Sequence, residues 1–189
     1  MIVLLLFLNS TFSYGEEQFS DDTLLIEGDS IENTLDRKLK ATGNAVLKKN
    51  DRTINADLIE YDQVSDELYA IGNVSIQGGR SKLTGSSLEL SIKDNIGVIP
   101  NASFSSSLDG SSNKFNNTLR GRAKVLFLEG EDKKRLQNAS ITTCSAGQDD
   151  WFIKASEMEI NDSSKIIVAK NAKLEFKGVP ILYSPLLNF

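Results

Sequence analysis

Large apolar residues recur along the chain in a short phrase that begins with Asn. Each phrase reads Asn, then Ala or Val, then a variable residue, then a large apolar residue. The phrase occurs five times, with steps of 29, 28, 37 and 33 residues between the Asn positions: Asn44-Ala45-Val46-Leu47, Asn73-Val74-Ser75-Ile76, Asn101-Ala102-Ser103-Phe104, Asn138-Ala139-Ser140-Ile141 and Asn171-Ala172-Lys173-Leu174. Spacing of this kind indicates a protein built from repeats.

The phrase predicts a tight backbone corner followed by a short strand. Asn tolerates the left-handed backbone of such a corner, and Gly43 and Gly72 directly precede the first two copies. After the corner, the Ala or Val and the large apolar residue are two positions apart, so they face the same side of a strand. The chain is therefore expected to present the same inward-facing apolar pair five times.

The second copy shows the complete predicted unit. Residues 53–61 read as a strand, residues 62–66 as a polar turn, and residues 68–71 as a returning strand that ends at the Gly72-Asn73 corner. Ile54 and Ile59 have opposite parity, so a bend or bulge is expected between them, as in a sheet that curves round. Helix signals are weak throughout, and the pattern predicts an all-β fold.

The two ends of the chain differ from the repeats. Residues 1–15 contain an apolar run of seven residues, far short of the roughly 20 that a membrane-spanning helix needs. They predict a signal peptide, with a buried N-terminal strand as the alternative. Residues 179–189 carry two of the three prolines and are densely apolar, and an exposed segment of this kind marks an interface. The domain is therefore expected to span residues 16–178.

Composition narrows the range of functions. The chain has 21 basic and 26 acidic residues and a net charge of -5, which argues against a nucleic-acid partner. It has no His, the commonest general base and metal ligand, so any catalysis would have to rest on carboxylates, Lys or Tyr. No catalytic residue, metal or other cofactor is expected. Cys144 is the single cysteine, and it is either a small buried apolar residue or a thiol that bridges to another chain.

Several motifs resemble a known family. Ile54-Asn55-Ala56-Asp57 and Gly72-Asn73-Val74 are similar to the OstA-type repeats of lipopolysaccharide-transport proteins. Residues 138–144, Asp149-Asp150-Trp151 and residues 178–185 resemble the N-terminal domain of the LptD family of outer-membrane lipopolysaccharide-assembly proteins. The resemblance implies a repeat-built β-jellyroll, an LptA-like and OstA-like curved open sheet stack with an apolar interior groove, that is not an enzyme.

The resemblance also implies partners and a location. The ligand would be lipopolysaccharide, bound and passed across the periplasm to the outer membrane with its acyl chains shielded in the groove. The protein partners would be a periplasmic bridge protein of the same fold (LptA-like), an outer-membrane barrel and its plug lipoprotein (LptE-like). The protein would be exported to the periplasmic face of the outer membrane. Residues 179–189 would begin a linker into a barrel that these residues do not contain, and Cys144 would bridge, if at all, to a cysteine of that barrel.

Nine residues are candidates to line the groove because they follow the Asn corners or lie in the first strands of the repeats: Leu47, Ile54, Val74, Ile76, Phe104, Ile141, Ile153, Leu174 and Phe176. The alternative is that each belongs to an ordinary core. The N-terminal edge is expected to dock the bridge protein, because an unpaired strand edge accepts a further strand. The edge residues are Leu24, Leu25, Ile26 and Ile31.

Two other classes of function remain open. A carbohydrate-active or structural β-helix would be secreted and built from similar repeats. An enzyme of this kind would use paired carboxylates, with Asp149, Asp150, Glu157 and Glu159 as candidates. Glu157 and Glu159, however, occupy a position that recurs in the repeats, and the two aspartates lie in a turn, which favours surface roles. In a passive scaffold, the repeats would bind only one another.

Overall fold

The computed structural model describes residues 24–107 and 118–189. The predicted signal peptide, residues 1–15, lies outside this part of the chain. The described residues form strands and turns, and no helix among them is long and apolar enough to cross a membrane. The predicted all-β fold is confirmed.

Twelve strands form one sheet, in which each strand from β3 to β12 pairs antiparallel with the next. The short strands β1 and β2 both pair with β3 and together make one edge of the sheet, and β12 makes the other. The strands are β1 (Leu24–Glu27), β2 (Ser30–Asn33), β3 (Lys38–Lys49), β4 (Arg52–Asp62), β5 (Glu67–Gly78), β6 (Ser81–Ser91), β7 (Ile96–Ser107), β8 (Thr118–Glu129), β9 (Lys133–Thr142), β10 (Trp151–Asn161), β11 (Ile166–Phe176) and β12 (Val179–Asn188).

Each Asn corner lies inside a long strand, so the predicted arrangement of two short strands separated by a corner is wrong. The left-handed backbone is confirmed: the φ angles are 46° at Asn44, 49° at Asn73, 51° at Asn101, 48° at Asn138 and 51° at Asn171. In β3 and β5 the register with the neighbouring strands shifts at the Asn, as at a bulge, which bends a strand without ending its pairing. In β7, β9 and β11 the pairing continues through the Asn without a register shift. The Asn residues are therefore bends within continuous strands.

The even-numbered strands bend at the matching points. The register between β4 and β5 shifts between Asn55 and Leu58, which confirms the bulge expected between Ile54 and Ile59. Both isoleucines are buried, although their parity differs, because the bulge reverses the side to which alternate side chains point. Every bend thus keeps apolar residues on the inner face in both halves of a strand.

The bends divide the sheet into two walls. We call wall A the halves that precede the Asn in β3, β5, β7, β9 and β11, with the halves of the even strands that pair with them, and wall B the remaining halves. Large residues of both walls, such as Leu136 in wall A and Leu47 in wall B, are at most 2% exposed. One sheet can bury its inner face in this way only by folding over on itself, so the two walls face each other as in a curved β-jellyroll.

Small residues flank the bend on the inner face of every strand from β3 to β11. Alanine takes this position in all of them except β6, which has Gly85. A Cβ atom at Gly85 would collide with the side chain of Ile99 on the next strand. Small side chains allow the walls to converge at the bend, and larger ones fill the widening space beyond it: Ala41, Ala45, Ala56, Ala70, Ala102, Ala123, Ala139, Ala155, Ala169 and Ala172 are all buried.

Residues 179–188, predicted to begin a linker, form the strand β12 of the same sheet. The reason is the tight turn before it, in which Lys177 and Gly178 both have positive φ, at 50° and 81°, as in the two-residue turns that join hairpin strands. Pro180 and Pro185 are tolerated because β12 is an edge strand. The sheet therefore continues ten residues past the predicted boundary at residue 178.

Candidate functional site

The side chains of the bend residues bind neighbouring strands together on the outer face. Asn73 Nδ2 donates hydrogen bonds to the two carboxylate oxygens of Asp57 at 3.0 and 3.1 Å. A Cβ atom at the preceding Gly72 would collide with the same carboxylate. Comparable bonds run from Asn44 to Asp29, from Asn101 to Ser86 and from Asn171 to Ser156. The repeated Asn is therefore a structural feature of the bend.

A cavity of about 340 Å³ lies between the walls, at the ends of the strands furthest from the bends. Its floor is apolar and its rim carries hydroxyl and charged groups. The apolar lining consists of Leu83, Phe104 and Leu119 from wall B and Leu126, Leu136, Ile160 and Ile167 from wall A. The volume is at the small end of the range for ligand pockets, so it has room for part of a large amphiphile.

The rim of this cavity is positively charged. Lys82, Lys134 and Lys165 line it together with Asp162. Lys134 Nζ is paired with the Asp162 carboxylate, whereas Lys82 and Lys165 form no ion pair within residues 24–107 and 118–189. The hydroxyl groups of Ser81 and Ser106, 2.9 Å apart, complete the polar boundary on wall B.

The predicted lining residues take three kinds of position. Phe104 lines the cavity. Six others belong to the inner face without lining the cavity: Leu47, Ile54, Val74 and Ile141 are buried in the core, and Ile76 and Ile153 pack against the core. Leu174 is half-buried, and Phe176 is 47% exposed, because it is the last residue of β11 beside the edge strand.

Sequence reasoning missed most of the cavity. The candidates followed the Asn corners, which selects wall B, whereas much of the floor comes from wall A. Leu126, Leu136, Ile160 and Ile167 precede a turn or corner in strands whose apolar alternation is clear in the sequence. Counting alternate positions backward from each Asn, as well as forward, would have found Leu136 and Ile167.

The predicted docking residues lie on the edge formed by β1 and β2. Leu24 and Ile26 pack against the core, while Leu25 and Ile31 are 44% and 51% exposed. The two short strands are separated at the bend, where Asp29 N donates a hydrogen bond to the carbonyl of Gly43. The far side of this edge has no partner strand among the residues that the structure describes.

The four carboxylates of the carbohydrate-active alternative do not line the cavity, and all of them except Asp150 lie in ion pairs. Asp149 accepts a hydrogen bond from Arg120 at 2.6 Å, and Lys170 Nζ lies 2.6 Å from Glu157 and 3.6 Å from Glu159. The hydrogen bond from Lys170 lowers the pKa of Glu157, so this carboxyl is a poor proton donor. Within the described part of the chain, no group of three His, Cys, Asp or Glu side chains could hold a metal ion.

Cys144 lies just beyond β9 and is half-buried. A hydrogen bond with the Thr142 side chain is the main cause that lowers the pKa of its thiol. Arg120 Nε donates a hydrogen bond to the Cys144 carbonyl at 2.9 Å, which fixes the backbone there. Bridging to a cysteine in another segment stays a prediction.

Comparison with known families adds to this geometry. Residues 53–166 match the family model described as LptA/(LptD N-terminal domain) LPS transport protein. The chain belongs to this family. The matched residues run from β4 to the start of β11 and include parts of both walls and every residue that lines the cavity except Ile167.

Relatives in the family carry the name LPS-assembly protein LptD. The protein of Nitrosomonas eutropha is 33% identical over 164 residues, which are 87% of this chain and 22% of the relative. That of Nitrosospira multiformis is 36% identical over 152 residues, 80% of this chain and 16% of the relative. The chain therefore spans about a fifth of the length of these relatives.

A search of solved structures matched LptH, the LptA homologue from Pseudomonas aeruginosa, described as the periplasmic component of the lipopolysaccharide transport device. The two share a TM-score of 0.49 and 12% sequence identity over 89% of this chain and 94% of that one.

Proposed function

We propose that the chain binds the acyl chains of lipopolysaccharide between walls A and B and passes the lipid toward the outer membrane. The observation that carries this proposal is the unbroken apolar inner face from β3 to β11, with a cavity between the walls. Family membership supplies the class of cargo. Acyl chains are the groups that such a face would accept, because it offers burial without directional bonds.

The energetic need for such a groove is large. Each methylene exposed to water costs about 0.8 kcal/mol, so the several acyl chains of one lipopolysaccharide would raise the free energy of transfer through water by tens of kcal/mol. The cavity of 340 Å³ holds part of this load. Because strand pairing among the described residues follows chain order, the free ends of the walls can separate to admit more lipid without breaking the ladder.

The proposal includes partners and a location. The exposed residues Leu25 and Ile31 on the β1 and β2 edge would receive a periplasmic bridge protein of the same fold (LptA-like) by strand addition. On the other side, the lipid would pass to an outer-membrane barrel with its plug lipoprotein (LptE-like). The protein would be exported to the periplasmic face of the outer membrane. It would act without catalysis, which agrees with the ion pairs that hold Asp149 and Glu157.

Removal of the acyl chains tests the lipid proposal. Purified protein is titrated with lipopolysaccharide and, separately, with the same molecule after chemical removal of every acyl chain. The groove predicts that deacylation abolishes measurable binding, because the sugars lie outside the walls. Undiminished binding of the deacylated molecule would contradict the proposal and favour recognition of the saccharide by the outer surface.

Photo-crosslinking tests the docking edge. A photo-reactive residue at Leu25 or Ile31 should capture the bridge protein in cells. The same residue at Leu35, which is fully exposed in the turn after β2, is the matched control and should capture little. Equal capture at all three positions, or none at Leu25 and Ile31, would contradict docking at this edge.

A further inference from the structure

The cavity combines an apolar floor with an excess of positive charge at its rim. Three lysines and one aspartate line it, which leaves an excess of two positive charges. Since Asp162 neutralises Lys134, the excess lies on Lys82 and Lys165. The chain as a whole has a net charge of -5, so this rim is opposite in sign to the protein that surrounds it.

We propose that the rim is an anion subsite, which holds a phosphate of the lipid headgroup on Lys82 and Lys165 while the acyl chains enter the cavity. This inference rests on the proposed function, and it adds the part of the ligand that the apolar face does not explain. Lysine is a compact point charge with three donors and binds phosphate in this way. Within the described residues, both lysines are available, since neither is held in an ion pair.

The geometry favours a phosphorylated amphiphile over an uncharged one. An uncharged lipid would gain nothing from the two lysines, whereas a phosphate placed at the rim lies beside a low-dielectric floor, where attraction between opposite charges is stronger than in water. The floor residues Leu126 and Leu136 are buried, so a chain that reaches them draws its headgroup to the rim. The subsite would therefore orient the lipid with its phosphorylated headgroup at the rim and its acyl chains in the cavity.

Asp162, the acidic residue of the rim, should affect phosphate binding in the direction opposite to the lysines. Asp162 repels an incoming phosphate and occupies Lys134. The backbone N–H of residue 162 is bonded to the Asp132 carbonyl at 2.8 Å, so an Asp162→Asn variant keeps its turn. Replacing this aspartate should strengthen phosphate recognition, while replacing the lysines should weaken it.

The experiment compares two probes on the purified full chain: bisphosphorylated lipid A and the same lipid A with both phosphates removed. Wild type should bind the phosphorylated probe about tenfold more tightly, as expected for two partly exposed ion pairs. The double variant Lys82→Gln/Lys165→Gln should bind both probes equally. Asp162→Asn should increase the preference for phosphate a few-fold, and added salt should reduce it in wild type.

The matched control is Lys124→Gln/Lys173→Gln, which removes the same charge from exposed positions that do not line the cavity. It should keep the wild-type preference. If wild type binds both probes equally, or if the Lys82/Lys165 variant keeps the preference, the subsite is refuted while the acyl-chain groove stands. If neither probe binds, the proposed function fails, and the subsite fails with it.

Discussion

The bend at Asn73 supports a quantitative prediction about how the repeats fold. Asn73 has a φ of 49°, and its side chain donates two hydrogen bonds to Asp57. Replacement by Ala removes the bonds and leaves in left-handed backbone a residue that lacks the short polar side chain by which Asn tolerates it, which costs about 1–2 kcal/mol. Replacement by Gly removes the same bonds but accepts the backbone freely.

The two variants should therefore differ in their free energy of unfolding. Loss of the exposed side-chain bonds accounts for about 0.5–1 kcal/mol in both variants. Adding the backbone term gives about 2 kcal/mol for Asn73→Ala and about 1 kcal/mol for Asn73→Gly. Equilibrium unfolding in urea, followed by the fluorescence of the single tryptophan, Trp151, measures both values.

A control separates the bend from a general effect of replacing Asn. Asn33 lies exposed in β2 with an ordinary φ, so Asn33→Ala should change the free energy of unfolding by no more than about 0.5 kcal/mol. If Asn73→Gly destabilises the protein as much as Asn73→Ala, left-handed backbone is not the reason for Asn at the bends.

Three further predictions concern the core and two titrating pairs. Leu136→Ala, at a site with 0% exposure, should lower the free energy of unfolding by about 2–5 kcal/mol; a loss below 1 kcal/mol in urea would contradict its place in the core. Lys170 lowers the pKa of Glu157 below its ordinary value of 4.5. Wild type should therefore be more stable than Glu157→Gln above pH 4.5 and lose this advantage as the pH falls through the lowered pKa. An advantage that persists in strong acid would refute the pairing. Burial, together with a hydrogen bond to Asp66, raises the pKa of Tyr61 to about 12. The contribution of Tyr61 to the free energy of unfolding should therefore be complete below pH 10 and disappear as the pH rises from 10 to 12. If Tyr61→Phe loses as much stability as wild type over this range, the effect belongs to another group.

The sequence was sufficient for the local geometry of the repeats. Asn with a preceding Gly predicted left-handed backbone at Asn44 and Asn73, and the opposite parity of Ile54 and Ile59 predicted a bulge. These features depend on residues close together in the chain, whose preferences survive folding.

The continuity of the strands and the makeup of the cavity depend on contacts distant in sequence. Gly72-Asn73 reads as a break between strands, but pairing with β4 and β6 on either side holds β5 together through it. Leu83 and Ile160, from different walls, line one cavity only because the sheet folds over. Parity shows that each faces inward, yet it does not show which inward residues meet.

Photo-crosslinking at two phenylalanines tests the central claim most directly. Phe104 lines the cavity, whereas Phe127 lies on the next strand with the Arg135 guanidinium 4.1 Å from its ring centroid, on the outer face. A benzophenone amino acid replaces each in turn, and the protein is irradiated with bound lipopolysaccharide. Strong labelling of the lipid from position 104 and weak labelling from position 127 is the predicted result; equal labelling, or stronger labelling from position 127, would contradict binding between the walls.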